Sequence, residues 1–345
     1  MTAREGPTRL VRSFEDDALE ARIVRRRPMR YAAGADPAHD RPEHVRAASG
    51  LAWVGNRLAV IQDDASFIAL VDAETGLADA FPLPAGPGGA RQFDDARGNK
   101  AGKLDLEALT IIPGSDGVLL AAFGSGSLAP RETVVLVSFA GNGNPSIDVR
   151  PASEFYALMR RSSDFAGSEM NVEGALYMHE TLRLFGRGNG AVRGELRPVN
   201  ASCDVSWPAL RGYLEHPMSV APPAPASISQ YDLGALDGVP LGFTDVALGR
   251  GSAVLYAAAA EASPDATRDG EVRGSVVGAI EARAGVGRWA RLREENGAPF
   301  MGKVEGLTMT ARRADRAFAV IDSDDHSTAS DLLEVRLAGP WWKAG

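Results

Sequence analysis

The chain is poor in the residues that build stapled or soft-metal proteins, and it has no membrane-length apolar stretch. It holds one cysteine, Cys203, and five histidines. A single thiol excludes a disulfide framework and a thiolate metal cluster. No apolar run approaches the ~20 residues that cross a bilayer. The opening "MTAREGPTRLVRSF" lacks the apolar core of a signal peptide, so the expected location is the cytoplasm, with no membrane partner. Positive charge is also in deficit: 37 Lys and Arg against 45 Asp and Glu leave a net charge of −8. Nucleic-acid binding needs a concentrated basic surface, so nucleic acid is not an expected partner. The one basic run, "RIVRRRPMR" (22–30), is spaced like the exposed face of an edge strand.

What is present is enough apolar material for a large core: 345 residues, 45% hydrophobic and 24% charged, fit one large soluble domain. Five segments share a pattern: "SGLAWVGNRLAVIQDD" (49–64), "EALTIIPGSDGVLLAAFGSGS" (107–127), "EGALYMHETLRLFGRGNG" (173–190), "DVALGRGSAVLYAAAAEAS" (245–263) and "EGLTMTARRADRAFAVIDSDD" (305–325). Each has a small or acidic residue, an apolar strand, a polar turn and a second apolar strand, which is the signature of a β-hairpin. A third strand follows in every unit ("FIALVDAETG", "TVVLVSFAG", "SISQYDLG", "SVVGAIEARAG", "DLLEVRLAG"), and in most a fourth such as "ADAFPL" or "RWARLRE".

Four antiparallel strands repeated every 50–70 residues or so predict an all-β β-propeller. The expectation is one domain over 1–345 with five blades at 48–100, 104–165, 171–243, 244–298 and 303–340; six remains open if two have been merged. The last unit has only three strands, so the strand at 18–34 is expected to supply its fourth and close the ring, removing an exposed edge. "PASEFYALMRRSSDF" (151–165) reads as a short helix capped by Ser153. Residues 191–226 read as an insertion between the second and third strands of the third blade, and proline excludes "APPAPAS" from sheet interior.

In such an array the first strand of each blade is innermost, so its leading residues gather at one mouth of a central channel. These are Ser49, Glu107, Glu173, Asp245 and Glu305, the four acids being the candidate metal ligands. Converging carboxylates repel and lose hydration, so they need a cation, shared protons or basic partners. An all-oxygen set favours a hard cation, Ca²⁺ ahead of Mg²⁺. Lys103, Lys303 and Arg187 are competing neutralisers, and acids that merely keep a mouth wet are the plainest alternative. Hairpin geometry brings the ends of the second strands to the same face: Asp63, Asp64, "GSGS" (124–127), Arg187, Asn189, Glu261, Asp324, Asp325 and His326. The substrate-contact candidates are therefore Asp63, Asp64, Lys103, Arg187, Asn189, Asp325 and Lys303. Those for proton transfer are His326, Asp324 and Glu261. The insertion leaves from this face and is expected to form a wall or lid.

Other patterns lead nowhere. "DSDDHSTASDLLE" (322–334) fails as an EF-hand at its sixth and twelfth positions, Ser327 and Leu333. "GRGNG" (186–190) does not join a strand to a helix as a dinucleotide fingerprint must, and there is no G-x-S-x-G, P-loop or H-E-x-x-H. His39, His44, His179 and His216 have no constellation around them.

The strand-one motifs Glu173-Gly174-Ala175-Leu176, Glu305-Gly306-Leu307-Thr308, Glu107-Ala108-Leu109-Thr110 and Asp245-Val246-Ala247-Leu248, with "GRGNG" and "EASPDATRDGEVRGS" (261–275), resemble an uncharacterised bacterial propeller family. That family is similar to phytase-like and esterase-like propellers and, more distantly, to gluconolactonase and paraoxonase propellers. The resemblance covers most of residues 45–338. It implies Ca²⁺-assisted hydrolysis of an ester, lactone or phosphoester, with the metal on Glu107, Glu173, Asp245 and Glu305. The competing class is a non-catalytic propeller that binds a protein or small ligand. A monomer with a small-molecule ligand at the channel mouth is expected.

Overall fold

The computed structural model describes residues 8–114, 117–139, 145–265, 268, 270–281, 285–310, 313–322 and 325–342. It is an all-β protein built from five consecutive antiparallel meanders. The first comprises Ala48–Val54, Arg57–Gln62, Phe67–Val71 and Leu77–Pro82; the second Leu106–Gly114, Gly117–Gly124, Thr133–Phe139 and Ser146–Pro151. The third comprises Val172–Met178, Thr181–Gly186, Asn200–Ser206 and Ala226–Asp232; the fourth Val239–Leu248, Ala253–Glu261, Val272–Glu281 and Val286–Arg293. The fifth has Lys303–Met309, Arg316–Asp322 and Asp331–Ala338, and Glu20–Pro28 lies antiparallel beside its last strand.

Most strands are apolar on both faces because each sheet is covered on both sides. Five apolar clusters sit between sheets: first against second, second against third, third against fourth, fourth against fifth, and fifth against first. Runs such as "LAVI" (58–61) and "LYAAAA" (255–260) are buried throughout, as strands sandwiched between two sheets must be. The leading strand of each unit packs against the leading strands of both neighbours.

Three features differ from the sequence expectations. Residues 191–226 are not one insertion: they contain the whole of the third unit's third strand, Asn200–Ser206, followed by a helix, Trp207–Glu215. "SISQYDLG" is consequently the fourth strand, not the third. The polar strand "NASCDVS" carries little β signal, but its pairing with Thr181–Gly186 seats Ala201, Cys203 and Val205 in the core. Second, a further N-terminal strand, Arg9–Glu15, runs parallel to the outer strands of the third and fourth units at once. Third, the helix at 151–165 forms over Ser153–Arg161 with Phe155, Tyr156 and Met159 buried. Its N-cap is Ala152, and no side chain caps it, so Ser153 lies inside the first turn.

Candidate functional site

A β-bulge interrupts the leading strand of every unit near its start. The register shifts between Ala48 and Gly50, Leu106 and Ala108, Val172 and Gly174, Phe243 and Asp245, and Val304 and Gly306. The skipped residues are Ser49, Glu107, Glu173, Thr244 and Glu305. Bulges re-aim side chains, and here they mark the ring position. The residue after each bulge faces the neighbouring sheet, which explains the recurring Glu-Gly. A Cβ on Gly306 would lie 2.9 Å from the Gly50 Cα, so the two leading strands approach this closely only because residue 306 is glycine.

This corrects the assignment of Asp245. It occupies the post-bulge position, not the ring position, and its carboxylate accepts the Val246 N–H at 2.7 Å and the Leu307 N–H at 2.6 Å. Burial pushes its pKa up, against the pull of those two amides. It stitches the fourth unit to the fifth and does not line the cavity described next.

Where the leading strands begin, a cavity of about 360 Å³ opens. Among the described residues, eleven carboxylates and seven Lys or Arg side chains line it. Glu107, Glu173 and Glu305 reach it from the bulges, and Asp63, Asp64, Arg187, Asn189, Glu261, Asp325 and His326 from the ends of second strands or just beyond. His326 is exposed at the rim. Asp324 lies outside the described residues. The expected wall or lid is divided: Val192, Arg197, Pro198 and Val199 border a hollow that adjoins the cavity, whereas the third strand runs away from it, so helix Trp207–Glu215 sits at the opposite end, buried through Trp207, Leu210, Tyr213 and Leu214. Part of the wall also comes from the connection between the first two units, through Phe93, Asp94, Asp95, Ala96 and Lys100.

The charges are organised as two chains. In one, Lys103 Nζ binds Asp63 at 2.5 Å and Asp105 at 2.7 Å, Arg131 binds Asp105 at 2.9 Å, and the Ser125 hydroxyl donates to Asp105. In the other, Arg187 binds Glu261 at 2.6 Å and reaches Glu173 at 3.6 Å, while Lys303 binds Glu305 at 2.5 Å and Glu261 at 3.2 Å. Asn171 donates to Glu173 at 2.6 Å. Lys103, Lys303 and Arg187 thus neutralise much of the acidic ring. Farther out, the buried Arg46 binds Asp64 and sits 3.4 Å from Asp94.

Glu107 is the exception. No cation lies at ion-pair distance among the described residues, and its carboxylate oxygen is within 4.8 Å of one from Asp63 and one from Asp105. Burial, then the charges of Asp63, Glu173, Asp105 and Glu305, drive its pKa well above the glutamate range. Burial lifts Glu173 to about 8 against the pull of Arg187. Burial acts on Glu261 too, but Lys303, Arg187 and the Gly270 N–H hold it near 2. Burial likewise raises Asp63 despite Lys103, whereas Asp105, held by Lys103 and Arg131, stays below the usual aspartate range.

Sequence reasoning missed Asp105, Arg131, Arg46 and Asp94. For Asp105 a signal existed. Asp105 and Glu107, Asn171 and Glu173, and Lys303 and Glu305 are polar pairs two apart at the heads of strands, where residues i and i+2 share a face.

Fold and site together define a propeller-like β protein with a buried, mixed-charge cavity at one end. The chain belongs to a family of unknown function (DUF6929), which matches residues 44–337. No curated protein matches it. Among solved structures it is similar to Myxococcus xanthus glutaminyl cyclase, at 12% identity and TM-score 0.49 over 95% of this chain and 98% of that one. The PQQ-bound aldose sugar dehydrogenase of Streptomyces coelicolor is similar at 12% identity and TM-score 0.44, over 92% and 98%. The β-propeller domain of Myceliophteria thermophila Cps50 (Swd1) gives 9% identity and TM-score 0.37, over 87% and 97%.

Proposed function

We propose that the five units are the blades of one closed ring, with Glu20–Pro28 completing the fifth, and that the acidic cavity at one mouth holds a divalent cation, Ca²⁺ first among candidates, in a hydrolase of esters, lactones or phosphoesters. This keeps the kinship with phytase-like and esterase-like propellers as part of the proposal. The observation that carries it is the meeting of Asp63, Asp105 and Glu107. Their oxygens lie within 4.8 Å of one another, the span of two Ca–O bonds of about 2.4 Å. Charge points the same way. The six innermost carboxylates (Asp63, Asp105, Glu107, Glu173, Glu261, Glu305) face four cations (Lys103, Arg131, Arg187, Lys303), an excess that one divalent cation or two protons balance.

A bound divalent cation would polarise a carbonyl or phosphoryl oxygen and acidify a water. The chain's own groups do the rest. Arg187 and Lys303 orient Glu261, whose low pKa keeps it an ionised hydrogen-bond acceptor. His326 stands at the rim, open to solvent, as a candidate for proton transfer. In hydrolysis, water supplies a hydroxyl to the acyl or phosphoryl centre and a proton to the departing alcohol.

A specific observation favours a second reading. Lys103 Nζ already bridges Asp63 and Asp105, so the cluster is partly neutralised without metal, as in a ligand-binding propeller with no catalysis. Metal analysis of the purified protein separates the two. It is paired with thermal unfolding in Ca²⁺ and in chelator for the wild type and Glu107→Gln. The expected result is bound metal, a midpoint raised by Ca²⁺ and lowered by chelator, and no response in Glu107→Gln. A wild-type midpoint indifferent to both removes the metal. An inert panel of aryl esters, lactones and phosphoesters removes the hydrolase.

A further inference from the structure

Beside the charged cavity lies a second hollow of about 570 Å³, lined by the third and fourth units. The two share Arg187, Asn189, Glu261 and Ser263, so they form one continuous depression. Its character changes along its length. The cavity is walled by carboxylates and basic groups; the hollow has an apolar strip of Val192, Pro198, Val199, Val239 and Pro240, bordered by polar side chains such as Arg197, Asn200 and Gln230. Leu10 and Val192 at its margin are 53% and 55% exposed, which leaves apolar surface in water next to a charged site. At the junction the Asn189 Oδ1 is buried with no hydrogen-bond partner. A buried acceptor left unpaired is costly, and a ligand N–H or O–H lodged there removes that cost.

We infer that the ligand is an amphiphile, with a neutral polar head in the cavity and an aliphatic arm along the hollow. This rests on the reading of the cavity as the working site. It narrows the substrate to a neutral carboxylic ester that carries an extended acyl chain and a free hydroxyl to meet Asn189, because a phosphate head would add negative charge to a cavity that one divalent cation already balances. The continuity of the two hollows commits the apolar groove to the arm of the same ligand, not to a separate partner.

The test uses non-hydrolysable probes of fixed head and growing arm: N-methylacetamide, N-methylhexanamide and N-methyldecanamide, titrated calorimetrically against the full chain. Four added methylenes in an apolar groove are expected to tighten binding about tenfold or more. Val192→Asp, an exposed substitution checked for an unchanged unfolding midpoint, is expected to shrink that gain at least fivefold while leaving the acetamide affinity alone. Equal affinity along the series, equal loss for all three amides in the variant, or no binding by any of them overturns the inference. Chain-length-dependent binding without turnover of the matching esters supports the groove and rejects the hydrolase. Ester turnover with a flat chain-length response does the reverse.

Discussion

At the scale of the residue, the ring is set by backbone register more than by side-chain type. Glu107, Glu173 and Glu305 were legible because a carboxylate heading an apolar strand is conspicuous. Thr244 was not, because a bulge leaves no mark on one strand and Asp245, its neighbour, looks the better ligand. The two residues therefore make opposite predictions. Asp245→Ala orphans the Val246 and Leu307 amides and is expected to cost about 2–4 kcal/mol in chemical denaturation, with metal content unchanged. Thr244→Val replaces a buried hydroxyl that has no partner and is expected to change stability by less than about 0.5 kcal/mol, or to raise it. If Asp245→Ala instead removes bound metal with little loss of stability, Asp245 is a ligand after all. The buried glutamates also fix a pH dependence. Glu173 titrates near 8 in the fold against an ordinary 4.5, so between those values the native state holds more protons than the unfolded chain. Stability therefore falls as pH rises through that window, and Glu305, raised by burial, acts in the same direction. Glu261, lowered to about 2, acts oppositely: its contribution is lost as pH falls below 4.5 toward 2. Thermal midpoints without added metal should thus peak near pH 4.5 and decline toward 8; a midpoint that climbs steadily to pH 8 contradicts the burial of these acids.

At the scale of the element, hairpins were readable wherever an apolar run met a polar turn, since period and turn chemistry are local. The failures came where an element owes its existence to its partners. "NASCDVS" is a strand because Thr181–Gly186 offers it a ladder and the core takes Ala201, Cys203 and Val205. "WPALRGYLE" is a short amphipathic helix with Pro208 in its first turn and Ser206 as its cap, signals that stood inside what looked like a loop. Its location follows from strand parity: a connection after a third strand lies opposite one after a second. The cavity's wall at residues 93–96 was hidden for a different reason. It is held by long-range contacts such as Asp40 accepting the Arg91 and Gln92 amides at 2.8 and 3.0 Å, and nothing in the local sequence announces them.

At the scale of the whole molecule, the N-terminal segment runs as a belt around the outer edges of four of the five units. Arg9–Glu15 pairs with the third and fourth, Glu20–Pro28 with the fifth and briefly the fourth, and Arg30–Tyr31 with the first. The basic run 22–30 sits on this belt, and Arg25 and Arg26 are tied to Glu74 at 3.0 Å and Glu294 at 3.2 Å. Its inward side chains are core: Ala21, Ile23, Met29 and Tyr31 are all buried. Removing residues 1–17 exposes the edges of Ala226–Asp232 and Val286–Arg293 but leaves each four-stranded meander intact. The expected outcome is a folded, less stable chain that self-associates through its bare edges. Removing residues 1–31 also takes the strand beside Asp331–Ala338 and the large buried side chains of Ile23, Met29 and Tyr31. At about 2 kcal/mol each, that loss is comparable to the whole stability of an ordinary domain. This variant should fail to give a folded monomer by size-exclusion chromatography and near-UV circular dichroism, and a synthetic peptide of residues 8–31 added during refolding should restore it. Should the longer truncation unfold at the wild-type midpoint, the belt does not complete the fifth unit as proposed, and the edge of that unit must be satisfied in some other way.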